Sequence, residues 1–304
     1  MPDSLTEDDW TELLKRIDSG KCTPFLGAGA CHGSLPLGAD IASDWADKYD
    51  CPLPYHREDL ARVAQFLAVT RNDDMSPKEE LCARFRNCDP PNFDEADEPH
   101  AVLASLPLPV FVTTNYDDFM VRALAHRQKE PVQEMCLWNS YVVKLVQERQ
   151  LSRLVLETGF EPTMANPVVY HLHGHFGIPE SMVLTETDYV SFLVAWSKRK
   201  DMIPPRIQRA FSGASLLFVG YSLEDWTFRV LMRALVSSLE AGLRRVSVAV
   251  QLVPETVPQE KQQHAQDYLR SYFHTLFKVS VYWGTAREFA GELAGRWRRF
   301  REND

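Results

Sequence analysis

Short runs of apolar residues recur along the chain, and their continuous pattern predicts β-strands that are covered on both faces. These runs lie at Val110 to Thr114, Val168 to Leu172, Ser215 to Gly220, Val246 to Leu252 and Val279 to Trp283, and a further one ends at Gly27. Apolar residues at helical spacing follow several of them, at 226–240, 259–273 and 286–300. Strands that alternate with helices predict an α/β fold, a Rossmann-like doubly wound parallel sheet of about six strands.

The N-terminal segment predicts an amphipathic helix ahead of the first strand. Thr6 and Asp9 have the spacing of a capping box, and Gly20 marks the end of the helix. Between them, apolar residues at helical spacing form one face: Trp10, Leu13, Leu14 and Ile17.

Two long intervals contain helical patterns and no convincing strand. We interpret residues 37–105, approximately, as a helical insert, and 121–165 as a further helical segment, within a single domain that spans 1–304. The proline-rich stretches "CDPPNFDEADEP" and "SLPLPV" mark the return from the insert to the sheet.

Composition disfavours several classes of function. The 33 Lys and Arg residues against 42 Asp and Glu residues give a formal charge of −9, which disfavours direct binding of nucleic acid. Six cysteines without a CxxC pair disfavour a zinc ribbon, and the acidic N-terminus does not resemble a secretion signal. No apolar run approaches the ~20 residues that span a bilayer. We therefore expect a cytoplasmic protein that does not insert into a membrane.

Polar segments follow four of the predicted strands, at the edge where parallel α/β sheets bind their ligands. In chain order these segments are "GAGACHGS", "TTNYDD", "HLHGH" and "VGYSLEDW". The first segment alone is weak evidence for a dinucleotide site, since glycines also allow tight turns and the third glycine of GxGxxG is missing at its usual offset. One pocket could collect all four segments.

The individual residues of these segments also have plainer interpretations. Asn115 and Asp117 could cap the next helix, and Ser222 could cap a helix that starts near Trp226. The three histidines from His171 to His175 could hold a metal, but no partner motif accompanies them, so we expect a catalytic or hydrogen-bonding histidine and no metal. His171 fits a buried histidine with satisfied hydrogen bonds.

Taken together and in this order, the four segments resemble the sirtuin superfamily, and in particular its bacterial branch that is associated with anti-phage defence and NAD cleavage. The resemblance covers roughly 24–225. Two features depart from the family pattern: Cys31 and His32 replace a small residue and a serine, and the paired CxxC zinc ribbon of the deacetylases is absent.

The resemblance implies a role for each matching position. It makes Asn115 and His173 catalytic, and it assigns the remaining matches to cofactor binding: Gly27, Ala28, Gly29, Thr114, Asp117, Gly220 and Ser222. Asn115 would orient a water molecule, and His173 would act as a general base. The stretch "LTETDYVSFL" from Leu184 also resembles the bacterial branch, without an assigned role.

The implied activity is that of an NAD hydrolase, with NAD as substrate, which depletes NAD during abortive infection. Such an enzyme needs control, so a homo-oligomer and a regulatory partner, such as an ATPase or a nucleotide-processing subunit, are expected. Two alternatives stay open: a regulatory subunit that senses NAD or ADP-ribose without turnover, and an NAD-dependent protein deacylase. Only the deacylase would need an acyl-lysine peptide.

Overall fold

The computed structural model of the chain describes residues 5–52, 56–149, 159–199, 202–222, 229–230, 233, 247–251 and 259–302. Its strands are β1 (Cys22–Leu26), β2 (Val110–Thr113), β3 (Val132–Met135), β4 (Val168–His171), β5 (Ser215–Val219), β6 (Ser247–Gln251) and β7 (Val279–Trp283). Its helices are α1 (Glu7–Asp18), α2 (Gly38–Lys48), α3 (Leu60–Arg71), α4 (Ser76–Arg86), α5 (Pro99–Ser105), α6 (Phe119–His126), α7 (Ser140–Arg149), α8 (Glu186–Lys198), α9 (Pro205–Ser212), α10 (Gln259–Phe277) and α11 (Ala286–Glu302).

The strands form one parallel sheet in the order β3-β4-β2-β1-β5-β6-β7. This confirms the predicted α/β class, with seven strands among the described residues where the sequence predicts about six. The additional strand is β3, which lies in the interval 121–165 that was predicted to be helical. Gln133 and Glu134 interrupt its apolar run, and for that reason the pattern does not indicate a strand.

Helices cover the two faces of the sheet, as a doubly wound fold requires. On one face, Phe25 and Tyr170 pack with Phe192 of α8 and Phe211 of α9. On the other face, Trp10 of α1 and the side chains of α5, α6 and α11 pack against strand residues, which include Leu26, Phe111, Val169 and Leu217. The central strands β1, β2, β4 and β5 are therefore buried on both faces, which explains their continuous apolar runs.

The helices between β1 and β2 build a third, smaller core. Trp45 of α2, Val63 of α3 and Leu81 of α4 pack together with Met182 and Leu184, two residues that follow β4. The interval 37–105 thus contains helices and no strand among its described residues, and its last helix, α5, packs on the sheet.

The predicted terminal helices match the structure closely. Thr6 and Asp9 form the capping box of α1, and α10 and α11 extend the predicted segments by a few residues at their C-terminal ends. The predicted helix 226–240 lies largely outside the described residues, although 229, 230 and 233 are helical. Within the described part of the chain, no helix combines the length and the hydropathy needed to cross a bilayer.

Candidate functional site

The four polar segments follow β1, β2, β4 and β5, which are neighbours at the centre of the sheet. From β1 the chain adds strands on one side of the sheet and then crosses to β5 on the other side. This reversal makes a topological switch point, where loops diverge and leave a crevice at the carboxyl ends of the strands. The sequence-predicted residues are thus brought together at the edge of the sheet that is formed by the carboxyl ends of the strands.

The turn after β1 is joined to the turn after β5 by backbone hydrogen bonds. Gly27 N–H donates to the carbonyl oxygen of Val219, and Gly29 N–H donates to that of Gly220, both over 2.9 Å. Gly220 has φ +82°, and a Cβ atom at this position would lie 2.2 Å from the nitrogen of Ala30. Only glycine therefore allows the two turns to approach this closely.

The hydrogen bonds between these two turns affect the cofactor-binding role that the resemblance implies for Gly27, Ala28 and Gly29. The N–H groups of Gly27 and Gly29 already have carbonyl acceptors, whereas Ala28 between them is exposed. Close approach of two backbone segments thus accounts for the two glycines.

The side chain of Asn115 is fixed by two hydrogen bonds. Its amide nitrogen donates to the carbonyl oxygen of Gly27 over 3.0 Å and to the sulfur of Cys31 over 3.2 Å. Since a carbonyl oxygen only accepts hydrogen bonds, the atom that faces Gly27 must be the amide nitrogen. The amide oxygen is then oriented away from Gly27 and can accept a hydrogen bond from a ligand.

Thr114 lies beside Asn115 and contacts the turn after β5. The hydroxyl oxygens of Thr114 and Tyr221 are 3.0 Å apart, and Tyr221 also donates to the carbonyl oxygen of Leu26. Ser222 is exposed and is the last described residue before 223–228, so the start of its proposed helix lies outside the described residues.

Asp117 is buried and has two separate partners. One carboxylate oxygen accepts the N–H of Phe119, the first residue of α6, although the N-cap of this helix is Asp118, whose side chain makes no capping bond. The other oxygen accepts the thiol proton of Cys31 over 3.3 Å. Neither Asn115 nor Asp117 is therefore the N-cap residue of α6.

A buried chain of polar groups continues from Cys31. The Nε2 atom of His100 lies 3.8 Å from the Cys31 sulfur, and its Nδ1 atom lies 2.7 Å from Glu98 Oε1. Burial alone would raise the pKa of Glu98, but hydrogen bonds from His100 and from the Ala101 N–H hold it below its usual value. Burial, reinforced by the Asp117 carboxylate, raises the pKa of the Cys31 thiol well above its usual value.

The histidines after β4 occupy different environments. His171 donates through Nδ1 to the carbonyl oxygen of Asn115 over 3.3 Å and accepts through Nε2 from Gln133 over 3.0 Å. The His175 ring lies against His171, with ring centroids 5.2 Å apart. The ligand nitrogens of the three histidines do not converge into a metal cluster within the described part of the chain.

His173 lies apart from His171 and against an aromatic wall. Its ring makes edge contacts with Tyr189 and Phe192 of α8, with centroid distances of 5.4 and 5.0 Å. The ring is 7% exposed, and its nitrogens bond to no side chain or backbone group of the described residues. Gly174, which follows it, has φ +78° and turns the chain away from the strand.

The "LTETDYVSFL" stretch now has a structural role, because it places the aromatic wall of His173. Thr185 and Asp188 form the capping box of α8. Asp188 also forms a buried ion pair with Lys78 of α4, with a nitrogen-to-oxygen distance of 3.0 Å. This pair ties α8, and with it the His173 wall, to the helices between β1 and β2.

Burial lowers the pKa values of these histidines to about 3 for His171 and His173 and about 4 for His175. They stay neutral in the folded chain at pH values where an unfolded histidine, with a pKa near ~6.5, binds a proton. The unfolded chain therefore binds more protons below about pH 6.5.

We expect the free energy of unfolding to be at its full value above about pH 6.5 and to fall as the pH drops towards 4, by at most about 1.4 kcal/mol per pH unit for each histidine. Denaturant unfolding at several pH values measures this slope. A His173→Asn variant should show a shallower slope than the wild type. Equal slopes in the two proteins would contradict the assignment.

A cleft of about 160 Å³ opens beside Asp117, lined by Leu35, Phe85, Arg86, Cys88, Asp117, Asp118, Phe119, Arg122 and Phe176. Typical small-molecule pockets measure about 300–1,000 Å³, so this cleft alone admits only part of a dinucleotide. Its walls come from α4, from α6 and from the loops after β1, β2 and β4.

Several residues at this edge are absent from the sequence prediction. Glu98, His100 and Gln133 belong to no motif, and their positions follow from the packing of α5 and β3. Cys31 does give a signal, as a departure from the family pattern, but its contact with His100 spans 69 residues of chain.

The chain is similar in sequence to known proteins. The family described as SIR2-like domain matches residues 109–277. The NAD(+) hydrolase ThsA of Bacillus cereus (strain MSX-D12) is 26% identical over 148 residues, which are 49% of this chain and 26% of ThsA. The match thus spans about a quarter of that relative (26%). A solved chain described as "Structural Basis for the Mechanism and Regulation of Sir2 Enzymes" aligns over 98% of this chain and 100% of its own, with 16% identity and a TM-score of 0.44.

Proposed function

Because this chain belongs to the SIR2-like domain family, we propose that it hydrolyses NAD to nicotinamide and ADP-ribose. The family match covers β2, β4 and β5, the strands that carry Asn115, His173 and Ser222 at their ends. The similarity to an NAD(+) hydrolase supports NAD as the substrate.

The reaction breaks the bond between the nicotinamide nitrogen and the anomeric carbon of the ribose. Nicotinamide leaves with the bonding electron pair, and the ribose acquires oxocarbenium character. The oxygen of a water molecule then bonds to the anomeric carbon, and a base takes the proton that this water loses. The site must hold the ribose and orient the water, because correct placement supplies much of the rate.

The placement of Asn115 is the observation that carries this proposal. Both of its amide protons are engaged by Gly27 and Cys31, so the side chain is held in one orientation before any ligand binds. Its oxygen can then accept a proton of the attacking water or of a ribose hydroxyl. A fixed polar group that needs no reorganisation is what an efficient site requires.

His173 is the proposed general base. Burial lowers its pKa to about 3, so the imidazole is neutral at physiological pH and is a weaker base than an exposed histidine, whose pKa lies near ~6.5. The contacts with Tyr189 and Phe192 hold the ring in place, and neither of its nitrogens is engaged by a described residue. Thr114, Asp117, Gly220 and the Gly27 turn are proposed to shape the cofactor site.

Nicotinamide release by the purified protein tests this function. NAD is supplied with and without an acetyl-lysine peptide, and the products are separated chromatographically. We expect nicotinamide and ADP-ribose in equal amounts, at the same rate with and without peptide. Release that depends on the peptide would identify a deacylase instead.

A sensing subunit that binds NAD or ADP-ribose without turnover is the second candidate. The burial of the His173 ring and the small volume of the cleft beside Asp117 favour it. Calorimetric titration separates the two functions: a sensor binds NAD and releases no nicotinamide, and its affinity is unchanged in His173→Ala.

We further propose that the activity serves anti-phage defence by depleting NAD in the cytoplasm. ThsA, the similar protein, carries the name of an NAD(+) hydrolase, and an enzyme that destroys NAD must be restrained until it is needed. A homo-oligomer or a regulatory partner would supply that restraint. Measuring NAD in infected cells with and without the protein tests this role.

A further inference from the structure

We propose that Cys31, His100 and Asp117 form a site for a zinc ion, next to the residues assigned to NAD cleavage. All three side chains are buried, and their ligand atoms lie within 4.8 Å of one another. The sequence predicts no metal site, because the three ligands come from separate segments without a motif.

The distances suit a tetrahedral zinc ion. Zinc–sulfur and zinc–nitrogen bonds of about 2.3 and 2.0 Å at the tetrahedral angle place the two ligand atoms roughly 3.5 Å apart. The Cys31 sulfur lies 3.8 Å from His100 Nε2 and 3.3 Å from Asp117 Oδ2. Small rotations of these side chains would therefore centre an ion between them.

Glu98 orients the His100 ring through a hydrogen bond to the ring nitrogen that faces away from Cys31. Its carboxylate also accepts the N–H of Ala101 over 2.5 Å, so it is held as an acceptor for the Nδ1 proton of His100. The lone pair of His100 Nε2 then faces Cys31, and the thiol is its only partner among the described residues. A carboxylate that orients a histidine in this way is typical of zinc sites.

The set of ligands selects the metal. A thiolate, an imidazole and a monodentate carboxylate suit zinc better than magnesium or calcium, which prefer oxygen ligands alone. Asp117 is free to ligate with one oxygen, because its other oxygen accepts the N–H of Phe119. Three protein ligands leave a fourth position for water or an external ligand.

Zinc binding has a consequence that rests on the proposed function. When zinc displaces the thiol proton of Cys31 to solvent and takes the Asp117 carboxylate, the sulfur that holds the Asn115 amide becomes a metal ligand. We expect zinc to slow NAD cleavage and a chelator to restore it. The metal itself is detected without NAD, so the zinc site and the NAD reaction can fail independently.

Cobalt(II) is the probe, because its thiolate complexes absorb in the near ultraviolet. We expect the chelator-treated full chain to bind one cobalt ion per chain with thiolate charge-transfer absorption, and zinc to abolish the signal. Cys31→Ser should lose this absorption, whereas Cys22→Ser, at a buried cysteine of β1, should keep it. Melting curves verify that each variant is folded.

Glu98→Gln is a second variant that keeps all three ligands. Loss of the orienting carboxylate should weaken cobalt affinity about 10–100-fold. Absence of charge-transfer absorption in the wild type, its persistence in Cys31→Ser, or an unchanged affinity in Glu98→Gln would overturn the proposal.

Discussion

Replacing Asn115 with alanine is expected to lower the rate of NAD cleavage about 100- to 1,000-fold, the range observed when one preorganised polar group is removed from a site. The substitution removes the amide oxygen that would orient the attacking water. It also removes the bonds to Gly27 and Cys31, at a cost of about 1 kcal/mol each in the free energy of unfolding. Steady-state nicotinamide release measures the effect.

Asn166→Ala provides the matched control for this substitution. Asn166 is also a partly buried asparagine whose amide donates to a neighbour, Glu130, but it precedes β4 and lies at the opposite edge of the sheet. Its replacement should leave the rate unchanged. A rate for Asn115→Ala within a few fold of the control would contradict the assigned role of Asn115.

Replacing Gly220 with alanine is expected to destabilise the fold by several kcal/mol. A Cβ atom there would lie 2.2 Å from the Ala30 nitrogen and 2.7 Å from the Gly27 oxygen, and both obstacles are backbone atoms that cannot rotate away. Overpacking costs about 1–3 kcal/mol, and the left-handed φ of +82° adds about 1–2 kcal/mol. The midpoint of denaturant unfolding measures the sum.

Gly33→Ala separates the two contributions. Gly33 has a φ of +92°, also in the left-handed region, but a Cβ atom there meets nothing within 4 Å. We expect Gly33→Ala to lower the free energy of unfolding only by the conformational cost of the left-handed φ, about 1–2 kcal/mol. Equal losses at the two positions would mean that the turns after β1 and β5 can separate, which would contradict their rigid docking.

The central part of the fold could be predicted from the sequence because β1, β2, β4 and β5 are buried on both faces and give continuous apolar runs. Their order in the chain also places the four polar segments at one edge of the sheet, which the structure confirms. The outermost strand β3, in contrast, carries Gln133 and Glu134 and has no continuous apolar run. Its existence is decided by pairing with β4, a tertiary contact that local pattern does not encode.

Some residues of the site could likewise be predicted from the sequence, and others could not. Asn115 and Asp117 could be found because both follow one strand within a few residues. The partners of Cys31 could not, since His100 reaches it from α5 and nothing in the spacing indicates that contact. The sequence also does not indicate which residues each histidine contacts. Only the folded chain places His171 against Asn115 and His173 against Tyr189.

The most direct test of the central claim compares nicotinamide release by the wild type and by His173→Ala, with NAD binding to both measured by calorimetry. We predict turnover in the wild type, and binding without turnover in the variant. Turnover by His173→Ala at the wild-type rate, or failure of the wild type to bind NAD, would contradict the assignment of this edge of the sheet as an NAD-cleaving site.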